Sequence, residues 1–184
     1  MDWEPLAECV RRCTACPLHR TRTQTVFGVG NRSASLMVVG EAPGEQEDLK
    51  GEPFVGRAGQ LLNEMLRALG LSRQDVYIAN ILKCRPPGNR DPVAEEVVAC
   101  ESFLQRQVAL VRPAVMLAAG RIAAQNLLKT TTPIGKLRGK VYRYQTIPLV
   151  ITYHPAYLLR SPGEKRRAWD DLKLAARSLH EEKP

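Results

Sequence analysis

Leu36-Met-Val-Val-Gly-Glu-Ala-Pro-Gly-Glu-Gln-Glu-Asp48 is an apolar run that stops at Gly40 and opens into a loop dense with carboxylates. Four apolar residues followed by glycine, proline and glycine read as a buried parallel strand that ends in a tight turn. In α/β proteins, ligands sit at the carboxyl ends of such strands. Glu41, Glu45, Glu47 and Asp48 therefore read as site chemistry more than as a solvated acidic loop.

The same pattern recurs on either side. Gly51 to Gly59 leads into a helix whose apolar positions Leu61, Leu62, Met65, Leu66 and Leu69 repeat with a period near 3.6, and Gly70 stands where a helix ends. Val76 to Leu82 is a second strand with Asn80 as the polar side chain of its second half, and Ala114 to Gly120 is a third, followed by a helix over 121–129. Pro148 to Tyr153 is the last strand and runs into His154. Residues 4–16 predict a short helix stopped by Pro17, and residues 93–111 and 164–182 predict longer ones. Residues 83–92, with three prolines, are irregular and cationic, and residues 130–144 form a basic connection. Strands alternating with helices imply a mostly parallel sheet covered on both faces. Glu41, Asn80 and His154 then stand at three strand ends on one edge of that sheet.

At 184 residues the chain is expected to form a single domain, residues 1–184. Lys and Arg number 27 against 19 Asp and Glu, a net charge of +8, which favours a polyanionic partner. No acidic residue stands between Glu101 and Glu164, whereas nine Arg and Lys do. No apolar stretch nears the roughly twenty residues of a membrane span. The acidic start Met1-Asp-Trp-Glu4 is unlike a secretory leader. A cytoplasmic location is expected, where five cysteines read as ligands, catalytic thiols or buried small residues and not as disulfides. Cys13-x2-Cys16 is a chelating turn, Cys84 follows a strand and Cys100 lies on the next helix, with Cys9 left over. Four thiolates suit either tetrahedral zinc or a four-iron, four-sulfur cluster, and spacing does not separate the two.

Gly40-Glu-Ala-Pro-Gly-Glu-Gln-Glu-Asp48, Pro53-Phe-Val-Gly-Arg-Ala-Gly-Gln-Leu-Leu62, Asn80-Ile-Leu-Lys-Cys-Arg-Pro-Pro-Gly-Asn-Arg90 and His154-Pro-Ala-Tyr-Leu-Leu-Arg160 together resemble the family 4, iron–sulfur uracil-DNA glycosylases. The likeness runs from about Cys13 to the final helix. It implies a three-layer α/β/α sandwich around a four-stranded, mostly parallel sheet, and a [4Fe–4S] cluster held by Cys13, Cys16, Cys84 and Cys100. The implied reaction is hydrolysis of the bond between deoxyribose and uracil in DNA, leaving an abasic site and starting base excision repair.

The resemblance gives each residue a task. Phe54 offers an aromatic face to the base, and Asn80 pairs with O4 and N3–H of uracil, which requires an amide held in one orientation. His154 donates to O2 as charge develops there. Glu41 positions water, with Glu47 as second choice or as the group that excludes thymine, since Gly44 stands where family 1 enzymes carry a tyrosine. Backbone groups of Gly40, Glu41 and Ala42 line the pocket. DNA phosphates meet Arg85, Asn89, Arg90, Lys136, Arg138, Lys140 and Arg160, and Tyr157, Leu158 or Leu159 wedges into the space of the extruded base. The chain is expected to act as a monomer, with recruitment by replication or repair proteins left open. Two other readings stand: an iron–sulfur DNA-binding module without turnover, and a relative that traps uracil-DNA covalently through a histidine, a residue type absent between Lys83 and Asp91.

Overall fold

A computed structural model describes residues 1–182. The chain runs α1 (Trp3–Arg11), β1 (Val29–Gly30), β2 (Leu36–Gly40), α2 (Glu45–Lys50), α3 (Arg57–Ala68), β3 (Tyr77–Asn80), α4 (Ala94–Val111), β4 (Val115–Ala119), α5 (Arg121–Leu128), α6 (Ile134–Leu137), β5 (Val141–Tyr144), β6 (Ile147–Thr152), α7 (Pro155–Arg160) and α8 (Lys165–Glu181).

The sheet order is β1-β3-β2-β4-β6-β5. Its four inner strands are parallel, in register Val38 with Ile78, Val38 with Leu117 and Leu117 with Val150. The four-stranded expectation thus matches the parallel core, and two short antiparallel edges extend it to six. β5 and α6 fall within residues 130–144, which are a structured edge and not a bare connection. The expected helix over 4–16 stops at Arg11, before the Cys13–Cys16 turn.

Alternation along the inner strands sends side chains to two cores. Met37, Val39, Ala79, Met116, Ala118 and Ile151 pack against α1, α4 and α5, while Val38, Ile78, Val115, Leu117 and Val150 pack against α3, α7 and α8. Nearly continuous apolar strands follow, because both faces are covered. β2 lies between β3 and β4, so the chain leaves it first to one side and then to the other. The gap beyond the carboxyl ends of β2 and β4 is the topological switch point of the sheet. No described helix is long and apolar enough to cross a membrane.

Candidate active site

The switch point opens into a cleft of roughly 530 Å³ bordered by Glu41, Ala42, Glu47, Phe54, Asn80 and His154, with Asn89, Arg90, Tyr157 and Arg160 at its rim. Residues from the ends of β2, β3 and β6 therefore do converge, as the sequence led one to expect.

His154 caps α7, and its Nδ1 accepts the Ala156 N–H at 3.0 Å. A nitrogen that accepts carries no proton, so in the neutral ring the proton sits on Nε2. Burial, with Arg160 nearby, pulls the imidazole down to about 4 despite the opposing charge of Glu47. At neutral pH the ring is thus an uncharged donor. It stacks on Phe54 with centroids 5.5 Å apart and planes 25° from parallel. Gly120, at φ +104 after β4, passes so close that a Cβ there would meet the His154 Cβ at 2.8 Å. Gly120 is a site residue whose role was not legible in the sequence, since its neighbour is 34 positions away.

Asn80 ends β3 and is 3% exposed. Its Oδ1 lies against Gly40, where a Cβ would come within 2.5 Å of Oδ1 and 2.6 Å of the Phe54 ring. Gly40 is therefore required by crowding. Its carbonyl and that of Glu41 accept the Ile81 and Leu82 N–H groups at 2.9 and 3.0 Å, which ties the turn after β2 to the segment after β3. Below Asn80, the buried Lys83 ammonium donates to the Asn80 carbonyl at 2.9 Å and to Gln107 Oε1 at 2.6 Å. Burial brings this lysine down to about 8, against the pull of the Cys100 sulfur. Lys83 fixes the Asn80 backbone. The amide itself is packed against Gly40.

The two candidate acids have different surroundings. Burial first, and then Asp91, raise the Glu41 carboxyl to about 7, partly offset by Arg121, whose guanidinium pairs with Asp91 at 3.0 Å. A group poised there changes charge near neutrality, which suits a catalytic base. Glu47 instead accepts three backbone N–H bonds, from Gly44 at 3.1 Å, Val55 at 3.1 Å and Gly56 at 3.2 Å. It braces two loops, Oε1 taking two of those N–H groups and Oε2 one, which leaves the carboxylate one further acceptor position at the cleft. Asp48, 3% exposed, takes the Thr23 N–H at 2.9 Å and anchors the 21–31 segment. That acid of the loop is structural.

Two of the expected DNA contacts, Arg138 and Leu158, are engaged elsewhere. Arg138 makes a bidentate pair with buried Asp171 at 2.9 and 3.0 Å, also donates to the Arg167 carbonyl, and keeps only 13% of its side chain exposed. It ties the segment before β5 to α8 and is not free to meet a phosphate. Leu158 is 1% exposed and packs in the core, so it cannot serve as a wedge, whereas Leu159 is exposed. Arg90 is paired through both of its terminal nitrogens with buried Glu96 and Arg85 donates to Asn89 Oδ1 at 2.7 Å, while Asn89 and Arg90 stay exposed at the rim where the DNA contacts are expected. Lys136, Lys140 and Arg160 are exposed.

A second, enclosed gap lies on the other side of the 80–84 segment. Cys13, Cys16, Cys84 and Cys100 all border it, together with Val10, Ala15, Ala99 and Phe103, while Cys9 is exposed and outside. Burial pushes the Cys84 and Cys100 thiols up, Cys100 to about 11, and each sulfur feels two others of the set. Arg22 donates to Cys84 Sγ at 3.0 Å and the Lys83 N–H to Cys100 Sγ at 3.3 Å. Among the described residues no three ligands close on a point suited to one ion. Four sulfurs around a shared gap, with N–H donors aimed at them, form a donor set compatible with a cluster.

Comparison with known proteins agrees with this geometry. The family model described as Uracil DNA glycosylase superfamily matches residues 27–173. The Type-4 uracil-DNA glycosylase of Archaeoglobus fulgidus is 49% identical over 181 residues, covering 92% of this chain and 91% of that one. Its namesake from Thermotoga maritima is 47% identical over 166 residues, covering 89% and 86%. A Type-5 uracil-DNA glycosylase of Pyrobaculum aerophilum is 36% identical over 184 residues, covering 85% and 80%. The chain belongs to the uracil DNA glycosylase superfamily.

Proposed function

We propose that the chain is a DNA N-glycosylase that takes uracil out of DNA and hydrolyses its bond to deoxyribose. The observation that carries this reading is the meeting of Glu41, Asn80, Phe54 and His154 around one cleft, with His154 a neutral donor. A base inside a duplex is out of reach of such a cleft, so it must be turned out of the stack first. Phe54 then offers it a face. Asn80 presents a donor and an acceptor to its O4 and N3–H edge, where cytosine would place the reverse pattern.

As the glycosidic bond stretches, negative charge grows on uracil O2 and positive charge on the sugar. A hydrogen bond from His154 Nε2–H strengthens with that charge, so it stabilises the transition state more than the bound substrate. Donors of this kind are typically worth about a hundredfold to a thousandfold in rate. Ionised Glu41 faces the sugar side, orients water and takes its proton as the water oxygen bonds to C1′. The departing base leaves as the anion that His154 has been stabilising. Thymine exclusion is assigned to the Pro43–Gly44 turn together with the Glu47 carboxyl that braces it, both of which border the cleft.

The four cysteines at the enclosed gap would hold a [4Fe–4S] cluster, which supplies a cross-link between the end of α1, the segment after β3 and α4. Exposed Lys136, Lys140 and Arg160 would meet phosphates, an attraction indifferent to sequence. The chain is proposed to work as a single-domain monomer. The test is incubation with a uracil-containing oligonucleotide, followed by alkali cleavage at any abasic site, with a thymine duplex as control. Cleavage of the uracil strand alone supports the reading. Uracil-independent binding without cleavage would favour a DNA-binding module, and a product that survives denaturation attached to the protein would favour covalent trapping.

A further inference from the structure

Phe54 has φ +53, in the left-handed region that a bulky side chain enters only when its surroundings force it. Two charged side chains from opposite sides do so. Arg73, half-buried beyond α3, donates from Nη1 to the Phe54 carbonyl at 2.9 Å and from Nη2 to the Pro53 carbonyl at 2.7 Å. Glu47 accepts the next two N–H groups, those of Val55 and Gly56. Each peptide unit on either side of Phe54 is thereby gripped by its oxygen or its N–H. The carbonyl is also seated against α3, where a Cβ on Gly59 would come within 1.9 Å of it. Rotating Phe54 out of the left-handed region would swing that carbonyl away from Arg73 and lift the ring from His154.

We propose that Arg73 is a positioning residue that, opposed by Glu47, sets the aromatic platform on which the extruded base stacks. The inference rests on the excision reading above for its effect on rate, but not for its effect on geometry. Arg73 does not border the cleft; besides Phe54 it meets the Pro53 carbonyl and, at 3.4 Å, Asn63 Oδ1 of α3, and its effect on the base is proposed to pass through Phe54. A residue acting only through another loses its effect once that other side chain is removed, so a double-mutant cycle separates positioning from general loosening of the fold.

The experiment compares Arg73→Met, Phe54→Ala and the double variant in single-turnover excision from a uracil-containing oligonucleotide, alongside the His154 ring-proton resonances, which the Phe54 face shifts. Arg73→Met is expected to slow excision by about tenfold to a hundredfold in the parent, up to the scale of a misplacement of roughly 1 Å caused from a distance. It is expected to slow it less than about twofold in Phe54→Ala, and to move the His154 resonances toward their positions in Phe54→Ala. Arg73→Lys, which keeps the charge and one donor, is expected to fall between, and it carries the same readouts if Arg73→Met does not fold. Equal slowing in both backgrounds, or unmoved His154 resonances, would overturn the proposal. Absence of uracil release by the parent would sink the excision reading, while the resonances would still decide the role of Arg73.

Discussion

The cleft and the cysteine gap flank the same short segment, Asn80 to Cys84, yet their energetics are opposite. In the cleft a carboxyl raised to about 7 and a phenylalanine in left-handed backbone work against folding at neutral pH, and an imidazole lowered to about 4 stays neutral there. The cysteine gap is enclosed and mostly apolar, with sulfurs that would gain from the proposed cluster. Strain stored in a site is a usual companion of catalysis, whereas metal binding adds directly to folding stability. Side-chain changes in the first region should therefore cost rate and spare the fold, and those in the second should do the reverse.

The largest expected effect falls on the cysteine side. Cys84→Ser should lower thermal stability and yield sharply and abolish any iron–sulfur absorbance near roughly 400 nm. Full absorbance in serine variants of all four cysteines would remove that ligand set. On the cleft side, His154→Ala and Glu41→Gln should each reduce single-turnover uracil release by about a hundredfold or more. Melting of Glu41→Gln should not fall. A carboxyl whose folded value is raised favours folding only while protonated and loses that contribution as pH climbs through about 7. The uncharged variant should therefore gain stability relative to the parent above that pH. The parent rate should rise with pH through the same window, and this limb should vanish in Glu41→Gln; a limb unchanged by the substitution would assign it to another group.

How much of this contrast was legible in the sequence follows from what each residue answers to. The four parallel strands were readable because each is an apolar run closed by glycine or a polar end residue, and their shared edge brought Glu41, Asn80 and His154 together. β1, with two residues, and β5, Val141-Tyr-Arg-Tyr144, bury too little to leave such a trace. Partnerships across the fold were invisible. Arg138 sits among exposed lysines in the chain, yet its partner Asp171 is 33 positions on. Arg73 and Phe54 are 19 apart. The three backbone donors of Glu47 likewise leave no mark on residue type.

Two smaller effects sharpen the comparison. Asn80→Asp should slow uracil release by about tenfold to a hundredfold, since a buried partner lost from a base edge costs that much in discrimination. Unchanged selectivity would place Asn80 outside the pocket. Among the surface cations, Lys136→Ala and Lys140→Ala should each flatten the salt dependence of DNA binding by about one unit of slope. Arg138→Ala should leave that slope alone and lower stability by about 3 kcal/mol, the scale for breaking a buried ion pair. A flattened slope in Arg138→Ala would return it to the DNA interface.

The most direct measurement is a crystal structure of the Glu41→Gln variant bound to uracil-containing DNA. The expected result is one uracil turned out of the helix against the Phe54 face, with the Asn80 amide at its O4 and N3 edge and His154 Nε2 at O2. A uracil still stacked in the DNA, or one bound away from those three side chains, would contradict the account.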